Sequence, residues 1–304
     1  MWSYDTRADG GPFSFHGDPL LLGDVVAIVA DRGCQTRGYV YAFNQKTGKL
    51  LWKFPADAPA TNLLEVGDSL IFATRTGELV SVETSSGAKR WQFKEATPDS
   101  ECEFPRMPAS DGVHVSFVSH KGTLYTLDAN SGRELWKEQL PSPVTTGLFM
   151  YKDALYFGTD DGRLHGINPA NGESLVDRPM PAVLNGRFSW QADPEDPVAS
   201  SSKEYAFASS SKKDKPGMLM AFSDEFEHIL WSQTADREWT SEQPHLWKDW
   251  VVAGNCRGDV VAYRRSDGKL AWSDHVNGCV RSFGDDGSTL YIGVQQGTVY
   301  AYRR

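Results

Sequence analysis

The stretch GTLYTLDANSGRELW at residues 122–136 decides the fold, because close copies of it recur along the chain. Two of them are GYVYAFNQKTGKLLW at 38–52 and GDVVAYRRSDGKLAW at 258–272. The segment TLYTLD alternates with a period of two, which is typical of a half-buried strand. The D-A-N-S-G corner after it is a tight turn, since Gly tolerates positive φ and Asp bonds its own backbone. Each copy therefore predicts a strand, a turn and the start of another strand.

The copies begin at glycines that are spaced almost evenly along the sequence. These glycines are 38, 77, 122, 162, 217, 258 and 297, with spacings of 39, 45, 40, 55, 41 and 39. Two further strand patterns precede each glycine, so that every unit contains strands A, B, C and D. A period near 40 with this content is typical of a propeller blade, a four-stranded antiparallel sheet. We expect an all-β, seven-bladed β-propeller that forms one domain over residues 1–304.

The seventh unit stops after its strand C, because the sequence ends at Arg304. Residues 1–7, MWSYDTR, contain a Trp of the kind that marks strand D. We therefore expect the N-terminal strand to close the ring, with residues 2–5 pairing with 297–302, which removes an open sheet edge. The longest spacing predicts extended loops in the fifth unit, at 191–202 and 210–216.

A tryptophan stands in strand D of most units. The positions are Trp2, Trp52, Trp91, Trp136, Trp231 and Trp272, with Val176 in the fourth unit. We interpret these rings as packing residues that dock one blade on the next, each burial contributing about 2–3 kcal/mol. A ligand-stacking role is disfavoured, since strand D is the outermost strand.

Composition excludes several classes of partner. The 304 residues carry a net charge of −9, and the one basic cluster, SKKDKPG at 211–217, has the pattern of a solvated loop. Nucleic-acid binding is therefore not expected. No apolar run reaches the 18 residues of a transmembrane helix, so we expect no membrane partner. The start of the chain does not resemble a signal peptide, and the four cysteines form no C-x-x-C, which favours a reduced cytoplasm.

The repeat G-x-[LV]-[YV]-[AT]-[FLY]-[DN]-x-x-[ST]-G-[KR]-x-[LR]-W resembles the PQQ-like β-propeller repeat over essentially the whole chain. The family includes quinoprotein alcohol dehydrogenases, the outer-membrane assembly lipoprotein, and propeller domains fused to bacterial kinases. The quinoprotein dehydrogenases are eight-bladed and carry an adjacent Cys-Cys pair. The assembly lipoprotein is also eight-bladed and carries a lipobox Cys. Neither cysteine feature is present here, so the resemblance favours the interaction propellers and implies no particular partner.

We find no motif that carries chemistry. The nucleophile elbow, the H-E-x-x-H zinc motif and the phosphate-binding glycine loops are all absent. The segment DANSG at 128–132 resembles a calcium loop, but its glycine stands where a ligand is needed, which favours a turn. Cys34, Cys256 and Cys279 map to neighbouring blades on one face, where separate thiols are favoured over a metal site. We expect no catalytic residue, metal or cofactor.

The inner strands supply candidate binding residues. Five residues before the A–B turn, at the end of strand A that opens on the face of the B–C and D–A loops, five of six counted units have a polar residue. The fourth unit has Gly147, and Arg187 is the counterpart in the fifth unit, whose A–B region is longer. The candidate ligand-binding residues are Asp18, Asn62, Arg106, Arg187, Gln243 and Arg281. They form either a solvated channel mouth or a ligand site. The three arginines suit an acidic ligand, unless Glu103 and Glu242 neutralise them.

Three functions remain open. The first is a non-enzymatic interaction scaffold or binding module, with a protein partner at the face of the D–A and B–C loops. The second is a sensor of small molecules or anions that uses the channel mouth as its pocket. The third is a quinoprotein-type oxidoreductase. The absence of a catalytic constellation favours the first, although the fold does not fix the function.

Overall fold

A computed structural model provides the structure of the chain. It describes residues 2–11, 13–32, 37–57, 59, 63–95, 106–191, 205–210, 218–223, 226, 228–234, 244–294 and 298–303. Within these ranges the side chains of 14–18, 185–191 and 205–210 are not described.

In the described part of the chain, 27 strands form seven antiparallel sheets, which we number in chain order. Sheet 1 contains β1 (Ser14–Leu22), β2 (Val25–Asp31), β3 (Arg37–Asn44) and β4 (Leu50–Asp57). Sheet 2 contains β5 (Leu64–Val66), β6 (Ser69–Ala73), β7 (Glu78–Glu83) and β8 (Lys89–Lys94). Sheet 3 contains β9 (Ala109–Ser110), β10 (His114–Val118), β11 (Thr123–Asp128) and β12 (Glu134–Gln139). Sheet 4 contains β13 (Phe149–Tyr151), β14 (Ala154–Gly158), β15 (Arg163–Ile167) and β16 (Ser174–Pro179).

The remaining strands form three sheets. Sheet 5 contains β17 (Asn185–Gln191), β18 (Tyr205–Ser210), β19 (Met218–Phe222) and β20 (Ile229–Thr234). Sheet 6 contains β21 (His245–Trp247), β22 (Trp250–Gly254), β23 (Asp259–Arg264) and β24 (Leu270–His275). Sheet 7 contains β25 (Val280–Asp285), β26 (Thr289–Val294) and β27 (Val299–Arg303). A single-turn 3₁₀ helix, Thr6–Asp9, precedes sheet 1, and no helix in the described residues is long and apolar enough to cross a membrane.

Every sheet follows its sequence unit, with consecutive strands as hydrogen-bonded neighbours. The all-β architecture of four-stranded antiparallel propeller blades is thereby confirmed. The expected seven complete blades are corrected to six within the described residues, where six sheets have four strands and sheet 7 has three. Residues 2–5 form no strand, and β26 is the one strand that pairs with β27 among the described residues. The expected ladder between 2–5 and 297–302 is therefore not present there.

Two compact units make up the chain. The first comprises residues 1–144, 148–156 and 166–176, and the second comprises 145–147, 157–165 and 177–304. In the first unit the innermost strand β9 contacts β5 and β13, and in the second unit β21 contacts β17 and β25. Buried apolar side chains fill the space between consecutive sheets of each unit, as between sheets 2 and 3 or sheets 6 and 7. The loops expected at 191–202 and 210–216 lie almost wholly outside the described residues.

Four strand D tryptophans join their sheet to the next, which agrees with their predicted packing role, and Trp272 stacks on Tyr302 of sheet 7. In these four the indole N–H donates to a backbone carbonyl three residues before the glycine of the next C–D turn. The donor–acceptor pairs are Trp52 to Thr84 at 2.9 Å, Trp91 to Ala129 at 2.9 Å, Trp136 to Pro169 at 2.8 Å and Trp231 to Arg265 at 2.8 Å. A Cβ at Gly87, Gly132 or Gly268 would lie 2.5 or 2.6 Å from the ring and collide with it, whereas one at Gly172 would lie 3.3 Å away.

Trp2 makes the same contact with sheet 1. Its indole N–H donates to the carbonyl of Gln45 at 2.8 Å, and its ring lies against Gly48. The N-terminal segment thus places its tryptophan where the strand D tryptophan of a preceding blade belongs. The completion of the last blade by this segment stays a prediction.

A buried carboxylate fixes the rest of the N-terminal segment. Asp9 accepts hydrogen bonds from Tyr4 at 2.7 Å, Tyr41 at 3.1 Å and Lys53. Burial acts to raise the pKa of Asp9, but these three donors outweigh burial and lower it below its ordinary value. Burial together with Asp9 raises the pKa of Tyr4 to about 12. The cluster holds residues 4–9 against sheet 1.

The cysteines require a correction. Cys256, in the B–C turn of sheet 6, forms a disulfide with Cys279, immediately before β25. The two were expected to be separate thiols of a reducing compartment. Their partnership was hidden because 23 residues separate them in sequence, whereas the turn and the link meet at one end of sheets 6 and 7. Cys34 and Cys102 lie outside the described residues.

Candidate functional site

A small cavity lies at one end of sheet 3, wholly within the first unit. We call this end the loop face of sheet 3: it carries the B–C turn at 118–122 and the D–A link at 140–144. The cavity has a volume of about 230 Å³. Its lining consists of Arg106, Val118, Ser119, His120, Lys121, Gly122, Leu140, Pro141, Ser142, Pro143 and Val144. It therefore lies on the face where sequence reasoning placed the partner site.

Backbone hydrogen bonds build the first wall from the B–C turn. The amide of Gly122 donates to the carbonyl of Ser119 at 2.9 Å, and the amide of Thr123 donates to the Ser119 hydroxyl at 3.3 Å. Gly122 has φ +77°, a conformation that glycine adopts at low cost. The turn is thus closed on itself, and its side chains define the pocket surface.

The D–A link forms the second wall and is tied to the first. The amide of Leu140 donates to the carbonyl of Gly122 at 3.0 Å, and the Gln139 side-chain amide donates to the carbonyl of Lys121 at 2.9 Å. Pro141 and Pro143 follow, and proline fixes φ and offers no amide N–H. The cavity is therefore lined by two segments of restricted backbone freedom.

The polar groups of the cavity are predominantly cationic. Arg106 lies at its edge, and its Nε donates to the carbonyl of Val144 at 2.9 Å, which anchors the guanidinium on the wall. Lys121 adds an ammonium group, and His120 adds an imidazole. Among the described lining residues there is no acidic side chain.

The sequence analysis did not single out His120, which lines the cavity. Its Nε2 is buried and has no hydrogen-bond partner among the described residues. A buried polar atom without a partner is uncommon and costs free energy. The seven histidines show no clustered spacing, and the one available signal was the basic turn S-H-K-G at 119–122.

The structure describes two of the six predicted site side chains. Arg106 lines the cavity of sheet 3, and Arg281 lies exposed on β25 in the second unit. Asp18 and Arg187 belong to β1 and β17, but their side chains are not described. Asn62 and Gln243 lie outside the described residues, as do Glu103 and Glu242. The channel mouth formed by all six stays a prediction.

The segment DANSG forms a turn that is closed by its own side chains. One oxygen of Asp128 accepts hydrogen bonds from the Ser131 amide at 2.8 Å and from the Ser131 hydroxyl at 2.7 Å. These bonds lower the pKa of Asp128. Gly132 adopts φ +69° beneath the ring of Trp91. The carboxylate therefore stabilises the turn on which a tryptophan docks.

Comparison with known proteins gives a family match over most of the chain. The family model described as outer membrane protein assembly factor BamB matches residues 2–107 and 36–274. One similar curated relative is outer membrane protein assembly factor BamB of Shewanella oneidensis, 27% identical over 199 residues, which covers 62% of this chain and 48% of the relative. Another is the tetrathionate hydrolase of Acidithiobacillus ferrooxidans, 21% identical, covering 86% of this chain and 49% of the relative. The chain thus spans about half the length of these curated relatives.

A solved structure gives the same fold. The crystal structure of BamB from Moraxella catarrhalis superposes with a TM-score of 0.64 at 18% identity, covering 96% of this chain and 91% of the other. At that identity the likeness concerns the fold alone, and it agrees with the propeller architecture.

The expected cytoplasmic location is wrong. Several relatives are named outer membrane protein assembly factors. The disulfide between Cys256 and Cys279 points the same way, since such bonds persist in oxidising compartments. The wide spacing of the cysteines misled the sequence interpretation.

Proposed function

Because the chain belongs to the PQQ_2 family, described as outer membrane protein assembly factor BamB, we propose that it is a non-enzymatic scaffold that binds a protein partner. The observation that carries this proposal is the family match over residues 2–274, taken with the similarity to relatives that bear the assembly-factor name. The partner is a component of outer membrane protein assembly. The binding surface is the face that carries the B–C turns and the D–A links.

The repeat supports a scaffold role through its stiffness. Trp52 fixes sheet 1 on sheet 2 and Trp91 fixes sheet 2 on sheet 3, each by packing and by a hydrogen bond. Interfaces that bind with little rearrangement lose less conformational entropy on association. The loops at the ends of the strands are then free to vary without disturbing the sheets. A tagged chain purified from the envelope of its native cell should bring an outer membrane assembly component with it. The same complex should then form when the two purified proteins are mixed.

We also propose that the fold is one seven-bladed domain over residues 1–304, in which the N-terminal segment completes the last blade. Trp2 supports this, because it contacts sheet 1 as the other strand D tryptophans contact their next sheets. The three strands of sheet 7 support it independently, because that unit lacks a strand D. Removing residues 1–5 should lower the melting temperature, and an unchanged melting temperature would count against closure.

A second candidate function comes from one relative. The similarity to a tetrathionate hydrolase, which covers 86% of this chain, favours an enzyme of sulfur-compound hydrolysis over the other enzymatic alternatives. Incubating the purified chain with tetrathionate, and separately with PQQ, calcium and an alcohol, tests both enzymatic readings. Turnover above a no-protein control in either assay would overturn the scaffold proposal.

A further inference from the structure

We propose that the disulfide between Cys256 and Cys279 is a thiol-exchange site, which an incoming thiolate opens at the sulfur of Cys256. The reactant is a thiol, carried either by a small molecule or by the dithiol site of a protein reductase. This inference goes beyond the scaffold function and stands independently of it.

The two cysteines differ in their access to solvent. Cys256 is exposed in the B–C turn of sheet 6, whereas Cys279 is 5% exposed in the D–A link that enters sheet 7. Asn255 and Gly258 are buried, so that Cys256 and Arg257 form the exposed tip of the turn. A thiolate attacks one sulfur of a disulfide, and access is one of the factors that decide which sulfur it reaches. Cys256 is therefore the sulfur attacked, and Cys279 is the leaving group.

The exchange transfers one S–S bond from the chain to the reactant. The incoming thiolate forms a new S–S bond with Cys256 Sγ, while the bond between Cys256 and Cys279 breaks. The electron pair leaves on Cys279 Sγ, which then takes a proton from water. With a monothiol the product is a mixed disulfide at Cys256. With a dithiol reductase the second thiol displaces Cys256, which leaves both cysteines of this chain reduced and the reductase oxidised.

Backbone hydrogen bonds hold the turn and the link together on either side of the disulfide. The amide of Val276 donates to the carbonyl of Gly258 at 2.8 Å, and the amide of Val280 donates to the carbonyl of Asn255 at 3.1 Å. A disulfide stabilises a protein mainly by restricting its unfolded state, so opening it lowers the overall stability but leaves these native bonds in place. Cys279 thus stays near Cys256 and re-forms the disulfide when the reactant leaves.

Two other sheets join the same turn and link without a disulfide. The amide of Leu140 donates to the carbonyl of Gly122 at 3.0 Å in sheet 3, and the amide of Met180 donates to the carbonyl of Gly162 at 2.8 Å in sheet 4. The positions that match the two cysteines are occupied by His120 and Pro143 in sheet 3 and by Asp160 and Val183 in sheet 4. The disulfide of sheets 6 and 7 therefore adds a reactive bond to a connection that the repeat makes through its backbone.

The test is peptide mapping of the folded, full-length chain after incubation with reduced glutathione. The reaction runs without oxygen at about pH 8, where a thiol is partly ionised, and iodoacetamide then caps every free thiol. Cleavage after Lys and Arg separates the four cysteines into the peptides 33–37, 95–106, 249–257 and 270–281. We expect glutathione on peptide 249–257 and the iodoacetamide cap on peptide 270–281, at least tenfold in excess of the reverse pattern.

A second arm of the experiment identifies the source of the thiol. Its probe is a reduced thioredoxin that lacks its second cysteine, which traps the mixed disulfide. A trapped complex linked through peptide 249–257 that forms faster than the glutathione adduct supports exchange with a protein reductase. A faster glutathione adduct on the same peptide supports exchange with a small thiol.

Single variants compare the two sulfurs directly. Cys279→Ser leaves a thiol at the exposed position and Cys256→Ser leaves one at the buried position. With oxidised glutathione, the thiol of folded Cys279→Ser should react at least tenfold faster than that of folded Cys256→Ser, and the difference should disappear in denaturant.

Three results would overturn the proposal. The first is a glutathione adduct found mainly on peptide 270–281. The second is a wild-type disulfide that neither probe opens in the folded chain, although both open it in denaturant. The third is equal reactivity of the two folded variants.

Discussion

The indole nitrogen of Trp91 in sheet 2 donates a 2.9 Å hydrogen bond to the carbonyl oxygen of Ala129 in sheet 3. The ring is 7% exposed and covers Gly132 of the same turn. Four other tryptophans repeat this arrangement at their own turns. The inter-sheet contact is thus a unit of the repeat, and it can be tested at single positions.

Trp91→Ala should lower the free energy of unfolding by about 3–5 kcal/mol, because it opens a cavity and leaves the Ala129 carbonyl without its donor. Trp2→Ala should cost clearly less, because Trp2 makes the same hydrogen bond but is 37% exposed. Urea unfolding followed by far-UV circular dichroism measures both. Equal losses would mean that burial does not set the strength of these contacts.

Gly132→Ala and Gly112→Ala form a matched pair within sheet 3. Both glycines have positive φ, at +69° and +93°, so both substitutions introduce backbone strain of about 1–2 kcal/mol. A Cβ at Gly132 would lie 2.6 Å from the ring of Trp91, whereas a Cβ at Gly112 meets nothing within 4 Å. Gly132→Ala should therefore lower the melting temperature more. The prediction fails if Gly112→Ala is the more damaging of the two.

Arg75 and Asp31 form a buried ion pair between sheets 1 and 2, with a distance of 3.4 Å and side chains 8% and 0% exposed. Arg75→Gln should cost about 3–5 kcal/mol, because it removes a positive charge that compensates a buried carboxylate. Arg90→Gln is the control, since Arg90 pairs with Asp68, whose side chain is 75% exposed, and such pairs contribute about 0–1 kcal/mol. Chemical denaturation compares the two, and similar losses would contradict the burial argument.

The lowered pKa of Asp9 predicts that the stability of the fold depends on pH. Its pKa is lowered in the folded state, so the carboxylate stabilises the fold above its unfolded pKa, which is about 4. That contribution is lost as the pH falls through the folded pKa. Asp9→Asn should be less stable than wild type at pH 7, and the difference should shrink towards pH 2–3. Thermal melts across this range measure the effect, and a gap that is independent of pH would refute it.

Cys256→Ser with Cys279→Ser should destabilise the chain by about 3 kcal/mol, since the disulfide closes a loop between residues 23 positions apart. A reducing agent should lower the melting temperature of wild type by more than that of the double variant. Insensitivity of the wild-type chain to reduction would show that the bond contributes nothing to stability.

The repeat made much of the fold predictable from sequence. The spacing of glycines and tryptophans is a local pattern, and it gave the strand order and the inter-sheet role of Trp52 and Trp91. The number of strands in sheet 7 was harder to predict from the sequence, because it depends on residues 2–5 and β27 at opposite ends of the chain. The disulfide was hidden for a similar reason, since its cysteines belong to a turn and a link that only the fold brings together.

The candidate site was predictable only in part. Counting along strand A found Arg106, because its position relative to the A–B turn repeats from unit to unit. The same count could not find His120 or the prolines of the D–A link, since their contribution depends on how a turn and a link of one sheet face each other. A cavity of this kind is a tertiary feature without a spacing signature.

Site-specific photocrosslinking in the native cell tests the central claim most directly. A photoreactive amino acid at Lys121 on the loop face of sheet 3 is compared with one at Arg133 at the opposite end. The scaffold account predicts one dominant crosslinked protein from position 121, identified by mass spectrometry as an outer membrane assembly component, and none from position 133. Absence of a specific crosslink at position 121, or the same products from both positions, would contradict it.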